Sequence, residues 1–234
     1  MNIIPIKLSM TKAILIKDQK NLLVDTGNPK DYATLWHFLD ANLDEEEQLD
    51  YILITHAHLD HYGCAAALHD KTGAKVIIHE RDYETMKHGY NSPIVPFSLT
   101  GKLLSPFIKK DRKKVVANPI EADIVIKDEE TDLQPFGIAG KVVATPGHTP
   151  GSISLFLDDQ TAIVGDLMMS FFIPEKPEKP LFAYNVDEWK KSLKKVLAFE
   201  PKKIIITHGN FYTYNDFKSF CQKIFKKNRN NGIY

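Results

Sequence analysis

The run His56-Ala57-His58-Leu59-Asp60-His61 places three imidazoles and a carboxylate within six positions. Imidazole nitrogen and carboxylate oxygen together suit zinc, and also manganese or iron. Chance placement of a His-x-His-x-Asp-His run is expected in about one such chain in a thousand. In an extended chain, residues two apart share a side, so His56 and His58 can grip one ion. Asp60 and His61 are adjacent and cannot easily both face that ion. If the chain turns there, they can face a second ion beside it. Three further candidates complete the set. His148 lies in Thr145-Pro146-Gly147-His148-Thr149-Pro150-Gly151, Asp166 follows Ala162–Gly165, and His208 follows Ile204–Thr207.

Short β-branched runs precede each of these residues. Tyr51–Ile54 leads to His56, Lys141–Ala144 to the turn around His148, Ala162–Val164 to Asp166, and Lys203–Ile206 to His208. Four strands thus end in a candidate ligand, as expected of a site at the carboxyl edge of α/β strands. Ala13–Ile16, Leu22–Val24, Lys75–Ile78 and Ile153–Leu157 read as further strands. Helical spacing of apolar residues marks Tyr32–Leu43, Cys64–Asp70 (ending before Gly73), Asp187–Phe199 with Asp187 as N-cap, and Asp216–Lys227. The alternation predicts α/β architecture with sheets covered by helices. Leu22–Asp25, a helix and Ile52–His56 are echoed by Ala162–Asp166, a helix and Ile204–His208. The echo is either shared strand chemistry or a pair of related half-domains.

These motifs, with Val164-Gly165-Asp166 and Ile206-Thr207-His208-Gly209, resemble the metallo-β-lactamase superfamily from Asp25 to His208. The resemblance implies a four-layer αββα sandwich and a pair of divalent metal ions, with zinc favoured and iron or manganese as alternatives. It assigns His56, His58 and His148 to the first ion, Asp60, His61 and His208 to the second, and Asp166 to a bridge. Asp25 becomes a supporting residue that binds no metal. The intact bridging Asp166 argues against β-lactam hydrolysis and favours the glyoxalase II-like branch and the lactonases. The single helix after His208 departs from glyoxalase II. Leu167, Met168 and Met169 stand where a lactonase tyrosine is expected, and Tyr184 is a candidate substitute.

The expected activity is therefore hydrolysis of a small ester, thioester or lactone by a metal-bridging hydroxide, with Asp60 orienting it and passing a proton to the leaving group. Phosphodiester or nucleic-acid cleavage, a mononuclear-iron persulfide dioxygenase and a metal-binding regulatory protein remain as alternatives. Thirty basic and thirty acidic residues cancel. No global field gathers nucleic acid, so a small-molecule substrate is expected.

The 234 residues suit one domain, with a lid insertion at about 89–119. That stretch holds four prolines and a basic run from Lys102 through Lys109, Lys110, Arg112 and Lys113 to Lys114, among Leu103, Leu104, Phe107 and Ile108. A second long loop, 170–184, carries Phe171, Phe172, Phe182 and Tyr184. Long loops in compact domains tend to be functional. Phe171, Tyr184 and His88, at the lid's edge, are the candidate substrate contacts. His37, His69 and His79 read as structural or exposed. Cys64 and Cys221 read as packed thiols. So few cysteines, with no signal-peptide pattern and no transmembrane run, point to the cytoplasm. Nothing in the sequence indicates an oligomeric state.

Overall fold

In the computed structural model, residues 1–44, 47–108, 114–170 and 176–227 are described. Strands β1 (Asn2–Lys7), β2 (Lys12–Lys17), β3 (Asn21–Val24), β4 (Tyr51–Leu53), β5 (Lys75–His79) and β6 (Ile124–Ile126) form one sheet in that order. Its first three strands are antiparallel, and β3 to β6 run parallel. The second sheet contains β7 (Glu130–Asp132), β8 (Gly140–Ala144), β9 (Ile153–Leu157), β10 (Thr161–Ile163), β11 (Lys203–Ile205) and β12 (Phe211–Thr213), also in sequence order. Only β10 and β11 pair parallel there.

The apolar runs divide with period two, because successive strand side chains face opposite sides of a sheet. Ile14, Ile16, Leu53 and Ile77 of the first sheet meet Val142, Leu155, Ile163 and Ile205 of the second in a central core. Leu15, Leu23, Ile52 and Val76 face outward onto α1 (Tyr32–Asn42), α3 (Ala65–Thr72) and α4 (Glu80–Lys87). Ala162, Val164, Ile204 and Ile206 face outward onto α6 (Val186–Phe199) and α7 (Tyr214–Lys227). Strands buried on both faces cannot alternate apolar with polar, hence their continuous apolar sequence. The result is the expected order of helix, sheet, sheet, helix.

All eight expected strands form, within a residue or two of their expected ends. The unexpected β1, β6, β7 and β12 lie at sheet edges, where propensity is weakest. Pro5 in β1 hid a strand that tolerates proline because it has one unpaired edge. Asn185, not Asp187, caps α6, its side chain accepting from Asp187 N and Glu188 N at 3.0 and 3.1 Å. The stretch expected as a long loop at 89–119 contains α5 (Leu99–Ile108), which prolines at 93, 96 and 106 had obscured. Polar α4, with few apolar positions to mark a stripe, was also missed.

The sequence echo is an architectural repeat. β3, Asp25, α1, β4 and Thr55-His56 correspond to β10, Asp166, α6, β11 and Thr207-His208, with β3–β4 and β10–β11 both parallel. Each threonine hydroxyl donates to the aspartate of its own half, Thr55 to Asp25 at 2.8 Å and Thr207 to Asp166 at 2.7 Å.

Candidate metal centre

The seven candidate side chains converge where β4, β8, β10 and β11 end. His56 follows β4 after Ile54 and Thr55. His58 then caps the one-turn helix α2 (Leu59–Tyr62), and this turn swings Asp60 and His61 away from the side that His56 and His58 share. His148 stands on the turn between β8 and β9. Gly147, at φ +133°, lets that turn seat on α6, since a Cβ there would lie 2.3 Å from Trp189 N. Asp166 lies in a single turn after β10, and His208 follows β11.

Ligand atoms of His56, His58 and His148 lie within 4.8 Å of one another, as do those of Asp60, His61 and His208. Asp166 stands between these sets. Its carboxylate is 3.5 Å from His61 Nε2, 3.5 Å from His148 Nε2 and 3.4 Å from His208 Nε2. Asp60 Oδ2 is 3.1 Å from His208 Nε2.

Hydrogen-bond partners set which nitrogen of each ring is free. His148 Nδ1 donates to the Phe182 carbonyl at 2.9 Å, and His58 Nε2 to the Ser92 carbonyl at 3.2 Å. A carbonyl only accepts, so the opposite nitrogens carry lone pairs. Those two, His148 Nε2 and His58 Nδ1, face each other at 3.0 Å, a repulsive contact unless a cation sits beside both. His61 Nδ1 donates to Asp25 Oδ2 at 2.8 Å. Thr55 Oγ1 spends its proton on Asp25, so at 3.1 Å it accepts from His56 Nδ1. The remaining Nε2 atoms of His56 and His61 are buried with no hydrogen-bond partner among the described residues. Three rings, those of His56, His58 and His148, therefore turn a bare lone pair into one space, and His61 turns its Nε2 into the same space. Carboxylates and lone pairs converging in this way fit divalent cations.

The proton affinities divide the cluster in two. Burial, then the neighbouring His61 and His148, hold His56 well below its usual value. Burial and His148 push His58 down to about 3, and burial also lowers His148. Burial opposes charge on His61 too, yet Asp166, Asp25 and Asp60 raise it to about 10. His208 is raised against burial by Asp166 and Asp60. Both Asp60 and Asp166 stay below the carboxylate range despite burial, held by His61 and His208. The cluster draws positive charge into its Asp60–Asp166 side and rejects protons from its His56–His58 side, where only lone-pair donors remain.

Sequence reasoning missed several supporting residues. Asp25 was expected beside the site, and it is wholly buried at φ +60°, accepting from Thr55 N, Thr55 Oγ1 and His61 Nδ1, each at 2.8 Å. Asp82 on α4 was not foreseen. It accepts from Ala57 N at 2.8 Å, Thr149 Oγ1 at 2.7 Å and Gly151 N at 3.0 Å, tying the His56–His58 segment to the His148 turn. No local pattern could have disclosed it. Thr55 and Thr207 had a signal in the repeated Ile-Thr-His. Asn91 Oδ1 holds Leu59 N at 2.7 Å.

A cavity of about 270 Å³ opens on the cluster, with His58, Asp60, His148, Asp166 and His208 in its wall. Phe182 also lines it, and so does Leu104 of the expected lid. His88 and Tyr184 are outside this lining. His88 is exposed, donates through Nδ1 to the Glu84 carbonyl and stacks on Tyr90, and Tyr184 is 47% exposed. Phe171 and Phe172, like residues 109–113 of the basic run, fall outside the described residues. His37 is exposed, His69 bonds the Ala74 carbonyl, and His79 caps α4 through Arg81 N, all apart from the cluster. Among the described residues no helix is long and apolar enough to cross a membrane.

The family model described as Metallo-beta-lactamase superfamily matches residues 7–208. A Bacillus subtilis protein named "Probable metallo-hydrolase YflN" is 29% identical over 85% of this chain and 78% of its own length. A more distant relative, a hydroxyacylglutathione hydrolase of Pelagibacter ubique, is 26% identical over 88% of this chain and 69% of its own. Among solved structures, the B3 metallo-beta-lactamase BLEG-1 superposes with a TM-score of 0.70 at 20% identity, covering 94% of this chain and 98% of that one. At that identity the likeness is one of fold.

Proposed function

The chain belongs to the metallo-β-lactamase superfamily, and on that premise we propose a two-metal hydrolase of small esters, thioesters or lactones. The observation that carries the proposal is the set of inward ring nitrogens on His56, His58, His61 and His148 beside the Asp60 and Asp166 carboxylates. In this reading His56, His58 and His148 would hold one ion and Asp60, His61 and His208 the other, with Asp166 available to both. Bound zinc, or iron or manganese in its place, supplies an acidified water and a Lewis acid for the substrate carbonyl.

The chain's own residues do the remaining work. Asp60 is the most exposed carboxylate of the cluster, at 20%, and lines the cavity. It is placed to orient a water and then to pass a proton to the leaving group. Asp25 and Thr207 fix the orientations of His61 and Asp166, as carboxylate and hydroxyl partners commonly do around metal ligands. Convergence of all seven side chains supports this reading over a dioxygenase using part of the set. The largely apolar cavity supports an acyl substrate over a phosphodiester. Two free, buried thiols are in keeping with a cytoplasmic setting.

Metal analysis of unchelated protein is the test. The reading expects about two zinc ions per chain, with acyl hydrolysis lost on chelation and restored by zinc. One iron per chain, with oxygen consumed in the presence of thiol persulfides and no acyl hydrolysis, would overturn it.

A further inference from the structure

Beside the candidate ligands, the cavity is lined by Met10, Ile94, Leu104, Met169, Leu181 and Phe182. Its other polar residues are Asn28 and Asn91, both neutral amides, and no Lys or Arg is among the described lining residues. Asn28 Nδ2 is buried without a partner, so a neutral donor stands unused in this wall.

The apolar wall is built by pairing two chain segments. Phe97 N donates to the Leu181 carbonyl and Ala183 N to the Val95 carbonyl, both at 2.9 Å, and Pro96 bridges Phe182. Helix α5 is docked on the same segment. Gly101 allows this, because a Cβ there would lie 2.0 Å from the Leu181 carbonyl oxygen. That contact sets Leu104, 37% exposed, at the cavity's edge, opposite a cluster rich in charge.

We propose that the site selects substrates carrying an unbranched apolar acyl chain over those with only an acetyl group. This rests on the hydrolase reading for the bond cut, and on the wall alone for the selection. Chemistry sets the class, since methylenes gain by leaving water for a wall of Met10, Ile94, Leu104, Met169, Leu181 and Phe182.

The test compares acetyl, butanoyl and hexanoyl esters of one alcohol on the zinc-loaded protein. A fully buried methylene is worth about fourfold. With one side of the cavity open, kcat/KM should rise at least about twentyfold from acetyl to hexanoyl. Leu104→Ser should cut the hexanoyl-to-acetyl ratio at least about threefold. Equal kcat/KM for acetyl and hexanoyl overturns the proposal and leaves the hydrolase reading standing. Calorimetric titration with hexanoate and acetate judges the wall independently of turnover. Hexanoate should bind at least about tenfold tighter, and equal affinity overturns the proposal. Absence of hydrolysis of every acyl compound, with hexanoate still preferred, would overturn the hydrolase reading alone.

Discussion

Asp82→Asn changes one atom of a carboxylate that touches no candidate metal ligand side chain, so it isolates the positioning of the two ligand segments. Oδ2 serves Ala57 N and Thr149 Oγ1, while Oδ1 serves Gly151 N. A carboxamide retains a single acceptor. If it keeps the Oδ2 role, its NH₂ group points at Gly151 N–H, and a charge-assisted bond becomes a donor–donor contact. Losing a hydrogen bond to a charged group costs about 1.5–3 kcal/mol, so the apoprotein should lose roughly 2–3 kcal/mol in urea unfolding. The larger consequence is at the metal. Ala57 sits between His56 and His58, and Thr149 follows His148, so slackening either contact lets the opposed imidazoles drift apart. A supporting partner of this kind is worth about 10–100-fold in metal affinity, measured by chelator competition for zinc. Asp82→Asn with the stability loss but zinc affinity within about twofold of the original would refute the coupling and leave Asp82 as a residue of fold stability alone.

Thr207→Val removes the donor to Asp166 Oδ1 in near-isosteric form and should lower kcat about tenfold with little change in KM; an unchanged kcat would show that Asp166 is oriented without it. Asn185→Ala deletes the cap of α6 and should cost about 1 kcal/mol in urea unfolding, whereas Asp187→Ala, the sequence-based choice of cap, should cost less. Burial, with Asp31 adding to it at Cys64, pushes the thiols of Cys64 and Cys221 up to about 12. Only the thiolate is nucleophilic, and its fraction at pH 8 is then roughly one in ten thousand. Iodoacetamide should therefore leave both unlabelled in the folded protein and label both in urea, as mass spectrometry would read. A full equivalent of label on the folded protein would contradict this.

Much of the framework was legible because it is local. The strands were found from apolar runs, and those runs were long because strands between two layers bury both faces. The ends of Tyr51–Ile54 and Lys203–Ile206 pointed to His56 and His208 before any packing was known. Edge strands such as β1 and β12 were missed, since an edge asks little of its sequence. Helix α5 was hidden by the prolines around it, and α4 by its polar surface.

Residue type and spacing alone singled out seven side chains able to meet a cation and four strands leading to them, because period-two and helical spacing are properties of neighbouring residues. Which nitrogen of each imidazole faces inward was left to packing, since that depends on acceptors such as the Phe182 carbonyl, 34 positions from His148. Packing also decided that Asp82 binds Thr149 across 67 positions, and that segments around Val95 and Leu181 pair into an apolar wall. Contacts at such separations exist only once the sheets have stacked and brought their strand ends to one edge. Local spacing carries no record of them.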